Sequence, residues 1–303
     1  MSADHLHLNN CRQNDPARFR YGLVCSLESL TQDKPAVFQG HFDSYAQKVA
    51  DIGYDAVELH LRDPAQYDPL ALKKTAAQAG ITFAALSTGM EYSLNGLSLV
   101  SDDVKIRKKT LARLKEHIDL AAKLDCLVVI GTLRDNISDF ANKARYEDIL
   151  AEALLSLSDY AAPLGVDLAV ESITRYINNY LNTVPETAKY IASLKRENVK
   201  LHIDTHSMNI EDPDLPAAVK SSQPVLGYVH FSDSNRRFPG AGNIDFKPIL
   251  QALLAISYRG FIVSECLPWP DAAASARLGL RYMKALETCV RIETCREASD
   301  SRI

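Results

Sequence analysis

Short apolar and β-branched runs alternate along the chain with longer stretches whose apolar residues recur every three or four positions. The runs RYGLVCS (20–26), DAVELHL (55–61), ITFAALS (81–87), CLVVIGT (126–132), VDLAVES (166–172), VKLHID (199–204), VLGYVHF (225–231) and GFIVSEC (260–266) predict strands. A continuously apolar run such as CLVVIGT suits a strand buried on both faces. Helical periodicity predicts helices over 42–53, 69–80, 101–125, 144–164, 185–196, 213–222, 245–257 and 271–292. Segment 101–125 opens on Ser101, Asp102 and Asp103, which suit an N-cap and the positive end of a helix dipole.

Strand–helix alternation implies parallel strands joined by right-handed crossovers. Eight such units in 303 residues predict an α/β fold, a single (β/α)8 TIM barrel. A doubly wound open sheet is the competitor, but it usually carries a glycine-rich phosphate turn after its first strand. Here the stretch LESLTQDKPAVF follows, with no glycine. No Gly/Ser or Pro linker divides the chain. The expected organisation is a polar N-terminal extension (1–19), one catalytic barrel (20–292) and a polar C-terminal tail (293–303).

Composition narrows the function classes. Hydrophobic residues make up 47% and charged residues 24%, the mix of a soluble globular protein. Lys and Arg total 34 against 38 Asp and Glu, a net charge of −4. Such a chain has no bulk attraction for nucleic acid or an anionic membrane. The run Lys105, Arg107, Lys108, Lys109 and Arg113 reads as a solvated helix face. No apolar stretch reaches the ~18 residues of a membrane span, and the polar N-terminus lacks a signal-peptide core. The six cysteines form no CxxC pair. Cys25, Cys126 and Cys266 lie in apolar runs and are expected as buried thiols, in a reducing cytoplasm.

Active sites of such barrels lie at the C-terminal ends of the strands. Four consecutive runs end in chemistry-bearing residues: Glu171, Asp204, His230 and Glu265. Three carboxylates in one mouth repel one another and suffer desolvation, and a divalent cation removes both problems. Oxygen-rich ligands with one nitrogen suit Mn²⁺ first, and Co²⁺ or Mg²⁺ next, better than a thiolate-type zinc site.

Four segments carry a family resemblance: ESITRYINNYLNT (171–183), HIDTHSMNIED (202–212), HFSDSNRRFPGAGNIDF (230–246) and SEC (264–266). With them the chain resembles the xylose isomerase-like TIM-barrel superfamily, near the ketose 3-epimerases. The most specific block holds His230, Asn235, Arg236, Pro239, Gly240 and Gly242. The resemblance implies that Glu171, Asp204, His230 and Glu265 bind one divalent metal ion. It also implies that Glu171 and Glu265 serve as the acid–base pair and that Arg236 contacts substrate oxygens. The expected reaction is isomerisation or epimerisation of a small ketose or sugar-derived acid. Metal chelation of a carbonyl and its neighbouring hydroxyl acidifies the adjacent C–H and stabilises an enediolate. One carboxylate removes the proton and the other returns one on the opposite face. A homo-oligomer, dimer or tetramer, is the family-like expectation.

The substrate shell departs from the epimerase pattern. Ile177 stands where the family has a second Glu, Ser207 where it has a His, and Thr174 where it has an Asn. His206, one position before Ser207, is a candidate for the missing imidazole. His60, Tyr176 and Trp269 are further substrate-contact candidates, with Glu91, Tyr92 and Arg134 weaker ones at other strand ends. The altered shell keeps a metal-dependent lyase, decarboxylase or dehydratase acting on an oxo-sugar acid as the alternative. An apurinic endonuclease shares this barrel, but the acidic balance argues against phosphate-backbone binding. A non-catalytic sugar-binding subunit would have no reason to keep three carboxylates together.

Overall fold

The expected alternation is realised as a closed ring of parallel strands wrapped by helices, in a computed structural model that describes residues 18–31 and 34–300. The ring consists of β1 (Arg20–Ser26), β3 (Ala56–His60), β4 (Thr82–Ser87), β5 (Leu127–Ile130), β6 (Leu168–Glu171), β7 (Val199–Asp204), β8 (Leu226–Phe231) and β9 (Phe261–Ser264). Neighbours follow chain order, and β1 pairs with both β3 and β9, which closes the barrel. A two-residue strand, β2 (Phe38–Gln39), adds to the end of β1 and was not expected from the sequence. Residues 1–17 of the expected extension, Cys11 among them, and residues 301–303 of the expected tail lie outside the described residues.

The helices are α1 (Ala46–Ile52), α2 (Pro69–Ala79), α3 (Gly89–Asn95), α4 (Val104–Leu124), α5 (Lys143–Ala161), α6 (Val184–Ser193), α7 (Thr205–Glu211), α8 (Leu215–Ser221), α9 (Phe246–Ala255) and α10 (Ala272–Asp300). Side-chain caps start many of them. Asp103 accepts from the Lys105 amide at the head of α4, and Thr183 accepts from Glu186 at the head of α6. Gly53 and Gly80 end α1 and α2 in left-handed backbone that favours glycine. Two helices, α3 and α7, fall at strand ends where no helix is expected from the sequence. Each starts within two residues of the end of its strand, β4 or β7, so no turn separates it from the strand in the sequence. The last helix runs to Asp300, beyond its expected end at 292, because Glu293, Arg296, Glu297 and Ala298 favour helix and no Gly or Pro stops it.

Alternation along the strands separates two apolar zones. Outward residues such as Val57, Leu59, Leu201, Val229 and Phe231 pack under the helices. The inside of the ring is built from small residues: Val24, Ala56, Ala85, Val129, Ala169 and Val263, with Tyr228. This leaves room for polar side chains along the barrel axis. Cys25 and Cys266 are buried free thiols as expected, whereas Cys126, at the foot of β5, is only half-buried. Among the described residues no helix is long and apolar enough to cross a membrane.

Asp212 links two of these helices. It follows α7 and its carboxylate accepts from the amide of Val184, the first residue of α6, at 3.2 Å. Burial lifts its carboxyl to about 6, with Glu211 adding to the rise and the Val184 amide opposing it. An unfolded Asp titrates near ~3.9, so between about pH 4 and 6 the folded chain keeps a proton that the unfolded chain has lost. Stability therefore falls as pH rises through that window and stays lower above it. Asp212→Asn keeps the acceptor and removes the charge. It is expected to raise Tm at pH 7 by ~2–4 °C and to leave Tm at pH 4 nearly unchanged, by scanning calorimetry. An equal or lower Tm at pH 7 argues against this assignment.

Candidate functional site

The strand ends bring the expected set together. Glu171 and Asp204 are the last residues of β6 and β7, His230 is the penultimate residue of β8, and Glu265 directly follows β9. Asp204 pairs in register with His230, and Glu171 with His202. Carboxylate oxygens of Glu171, Asp204 and Glu265 lie within 4.8 Å of one another. Nδ1 of His230 is 3.3 Å from Glu265 Oε2, and its Nε2 is 2.7 Å from Glu58 Oε2. Asp204, His230 and Glu265 are buried and Glu171 is half-buried. Asp204 has a second task, because its Oδ1 accepts from the His206 amide at 3.0 Å and caps α7.

The guanidinium of Arg236 enters this cluster. One terminal nitrogen bonds Asp204 Oδ2 and the other Glu265 Oε2. The electrostatics then divide the carboxylates. Burial, reinforced by Glu265 and Asp204, raises the Glu171 carboxyl far above the usual range. Burial would raise Glu265 too, but Arg236 and His230 outweigh it and hold that carboxyl low. Burial opposes the charging of His230, yet Glu58 and Glu265 raise it well above an ordinary imidazole.

A tightly held loop delivers Arg236. Asp233 is fully buried, and its carboxylate accepts from the amides of Ser234 (2.8 Å), Gly240 (2.8 Å) and Ile244 (3.1 Å). A Cβ on Gly242 would collide with that carboxylate, so the close approach requires glycine there. Arg236 itself adopts left-handed backbone (φ 61°), and its carbonyl accepts from the Leu267 amide at 2.8 Å. The β8 loop and the β9 loop are thereby tied together.

The remaining candidates scatter. His60 lies at the end of β3, Nε2 3.2 Å from Glu58 Oε1. His206 directs its Nδ1 toward the Asp233 carbonyl at 3.3 Å. Tyr176 is 81% exposed, so it stands on the rim and walls no closed pocket. Trp269 is half-exposed, with the Arg237 guanidinium 3.7 Å over its ring. Arg134 serves the backbone instead of the mouth. It is fully buried and donates to the carbonyls of Glu171 (3.2 Å), Tyr180 (2.7 Å) and Leu181 (3.2 Å). It thus holds the backbone of Glu171 and the loop behind it. Glu91 is also structural, paired with Arg113 (3.2 Å) and Asn95 (2.7 Å). That pairing removes Arg113 from the expected solvated face.

Sequence reasoning missed three buried polar residues below the mouth: Glu58, His202 and Tyr228. A signal was present. Each lies two residues before another polar residue on the same strand face, as Glu58–His60, His202–Asp204 and Tyr228–His230. His202 is fully buried, and neither ring nitrogen has a partner. Its ring meets His230 edge-on at 4.1 Å between centroids. Burial and the adjacent His230 push its pKa well down, so it is a neutral imidazole.

Glycine at 131 makes room for Glu171, since a Cβ there would lie 2.5 Å from Glu171 Oε2. Gly131→Ala must therefore shift that carboxylate. Misplacement on the ångström scale can cost ~100-fold in rate. The variant is expected to keep the circular dichroism of the parent and to lose catalytic turnover by ~100-fold. Unchanged turnover would show that the Glu171 carboxylate moves aside without cost.

Comparison with known proteins agrees with this geometry. The family model "xylose isomerase-like TIM barrel" matches residues 46–286. A ketose 3-epimerase of Arthrobacter globiformis is 30% identical over 236 residues, covering 76% of this chain and 80% of its own. A D-psicose 3-epimerase of Agrobacterium fabrum is 31% identical, covering 74% of this chain and 78% of its own. A solved L-ribulose 3-epimerase structure superposes with a TM-score of 0.79 at 26% identity, covering 91% of this chain and 97% of that one. With barrel, strand-end site and matched length in agreement, the chain belongs to the xylose isomerase-like TIM-barrel family.

Proposed function

We propose that the protein is a divalent-metal-dependent sugar epimerase that inverts a carbon beside a ketose carbonyl, with Glu171 and Glu265 as the acid–base pair. The single observation that carries this reading is the convergence of three carboxylates and one imidazole at the barrel mouth. The donor set fits a hard or borderline cation. The Nδ1 atom of His230 is buried without a hydrogen-bond partner and faces Glu265, as a nitrogen ligand would. Glu171, Asp204, His230 and Glu265 would hold the ion, Mn²⁺ first among Mn²⁺, Co²⁺ and Mg²⁺. Bound there, a divalent cation would polarise the sugar carbonyl and an adjacent hydroxyl.

The chain supplies the rest. Glu171 ends β6 and Glu265 follows β9, three strands apart around the mouth, so the two carboxylates approach a sugar carbon from different sides, as an acid–base pair needs. Gly131 and Arg134 fix the position of Glu171. Arg236 offers its donor fork where sugar oxygens approach the carboxylates. His60 and His206 border the same mouth and are the proposed polar contacts to hydroxyls. Trp269 and Tyr176 supply an apolar rim for the faces of the sugar.

The test uses D-psicose and L-ribulose, named by the relatives, in D₂O with added Mn²⁺. The expected product is an epimer of unchanged carbon skeleton that carries one deuterium at the inverted carbon. Glu171→Gln and Glu265→Gln should each lower exchange by ~10²–10⁴-fold while the fold survives. Chelator treatment should abolish turnover and Mn²⁺ should restore it. Full activity in both variants sinks the two-carboxylate mechanism, and full activity after chelation sinks the metal.

A further inference from the structure

Below the mouth lies a carboxylate that the proposed reaction does not use. Glu58 sits in the middle of β3, faces the barrel axis and is fully buried. A buried carboxylate is costly unless its oxygens are satisfied. Glu58 meets that condition through barrel-facing side chains only. Its Oε2 accepts from the Tyr228 hydroxyl at 2.7 Å and from His230 Nε2 at 2.7 Å. Its Oε1 lies 3.2 Å from His60 Nε2. The three partners come from β3 and β8, on opposite arcs of the ring.

The consequence concerns the other nitrogen of His230. An imidazole that donates Nε2–H to a carboxylate has its free lone pair at Nδ1. That Nδ1 is the atom 3.3 Å from Glu265. A flipped ring would present a carbon in place of Nε2 to Glu58 and forfeit that hydrogen bond, while His202, edge-on at 4.1 Å, and Tyr228, at 5.3 Å, pack against the ring. We propose that Glu58 is the positioning residue of the site: it clamps His230 by Nε2 and turns Nδ1 toward the carboxylates, with Tyr228 holding Glu58 in place. The clamp rests on the metal reading above for its purpose, and on the hydrogen bonds for its existence.

Carboxylates that orient a ligand histidine typically contribute 10–100-fold in metal affinity. Two variants test the clamp. Glu58→Gln keeps the size of the side chain but removes its charge, so that with its amide NH2 turned to His60 only a weaker, neutral acceptor remains for Nε2–H and the Tyr228 hydroxyl. Tyr228→Phe removes one of the two bonds to Oε2 and leaves the other. Calorimetric titration with Mn²⁺ is expected to give ~10–100-fold weaker binding for Glu58→Gln and a severalfold loss for Tyr228→Phe. Far-UV circular dichroism and metal-free unfolding of Tyr228→Phe should stay close to the parent.

A second readout is independent of metal. The Nε2–H proton of His230 should give a downfield, exchange-protected NMR resonance in metal-free ¹⁵N-histidine-labelled protein, and Glu58→Gln should move it upfield or lose it as the charged acceptor is replaced by a neutral one. An Mn²⁺ affinity within threefold of the parent, together with an unchanged resonance, overturns the clamp. Should Glu58→Gln fail to fold, Tyr228→Phe decides by affinity: a severalfold weaker Mn²⁺ binding supports the clamp and an unchanged affinity overturns it. A parent protein that binds no Mn²⁺ but shows the Glu58-dependent resonance overturns the metal reading and leaves the clamp standing.

Discussion

Like-charge crowding at one end of the barrel is the constraint around which the rest of the site is arranged. Glu171, Asp204 and Glu265 converge there, and Glu58 adds a fourth carboxylate one layer below. In a space of low dielectric four such groups cannot all stay ionised without nearby cations. The fold answers with the guanidinium of Arg236, which bridges Asp204 and Glu265, and with the imidazole of His230, which stands between Glu265 and Glu58. Glu171 bonds neither group, and its carboxyl is the one that rises. The electrostatic asymmetry of the two glutamates thus follows from which of them these groups reach.

The barrel wall makes this crowding sterically possible. Alanine and valine dominate the inner face, so the axis has volume to spare for Glu58, His202, Tyr228 and His230. Larger aliphatic side chains face outward and bind the helices to the ring. Stability and chemistry therefore occupy opposite faces of the same strands, separated by the two-residue period of the pleat. Arg134 works at the seam between them. It spends a buried charge on three backbone carbonyls and fixes the segment from Glu171 to Leu181.

Much of this was legible in the sequence, because it rests on local patterns. The eight strands read as short apolar runs, and Glu171, Asp204, His230 and Glu265 read as polar residues ending them. What the sequence hid depends on contacts between distant segments. The buried roles of Arg134 and Glu91 required knowing that Tyr180 and Arg113 come back to meet them. Helices α3 and α7 start within two residues of the ends of β4 and β7, so no turn residues set them apart in the sequence. Glu58 and His202 look like ordinary interruptions of apolar strands until closure of the ring faces them inward. The exposure of Tyr176, a substrate-contact candidate, is likewise set by its loop and not by the residue type.

The departures from ordinary packing gather where the chemistry would be. A non-glycine residue in left-handed backbone, Arg236, carries the guanidinium into the carboxylates. A buried imidazole with no hydrogen-bond partner, His202, lies against the ring of His230. Two glycines, at 131 and 242, are set by side chains that leave no room for a Cβ. Each feature costs stability by itself, and none is needed to close an eight-stranded ring. They share one outcome, which is to hold charged groups in fixed positions at the mouth. A fold selected for stability alone would have filled the axis with aliphatic side chains. This barrel instead keeps polar groups along its axis, held from below by Glu58 and from the side by Arg134 and the Asp233 loop.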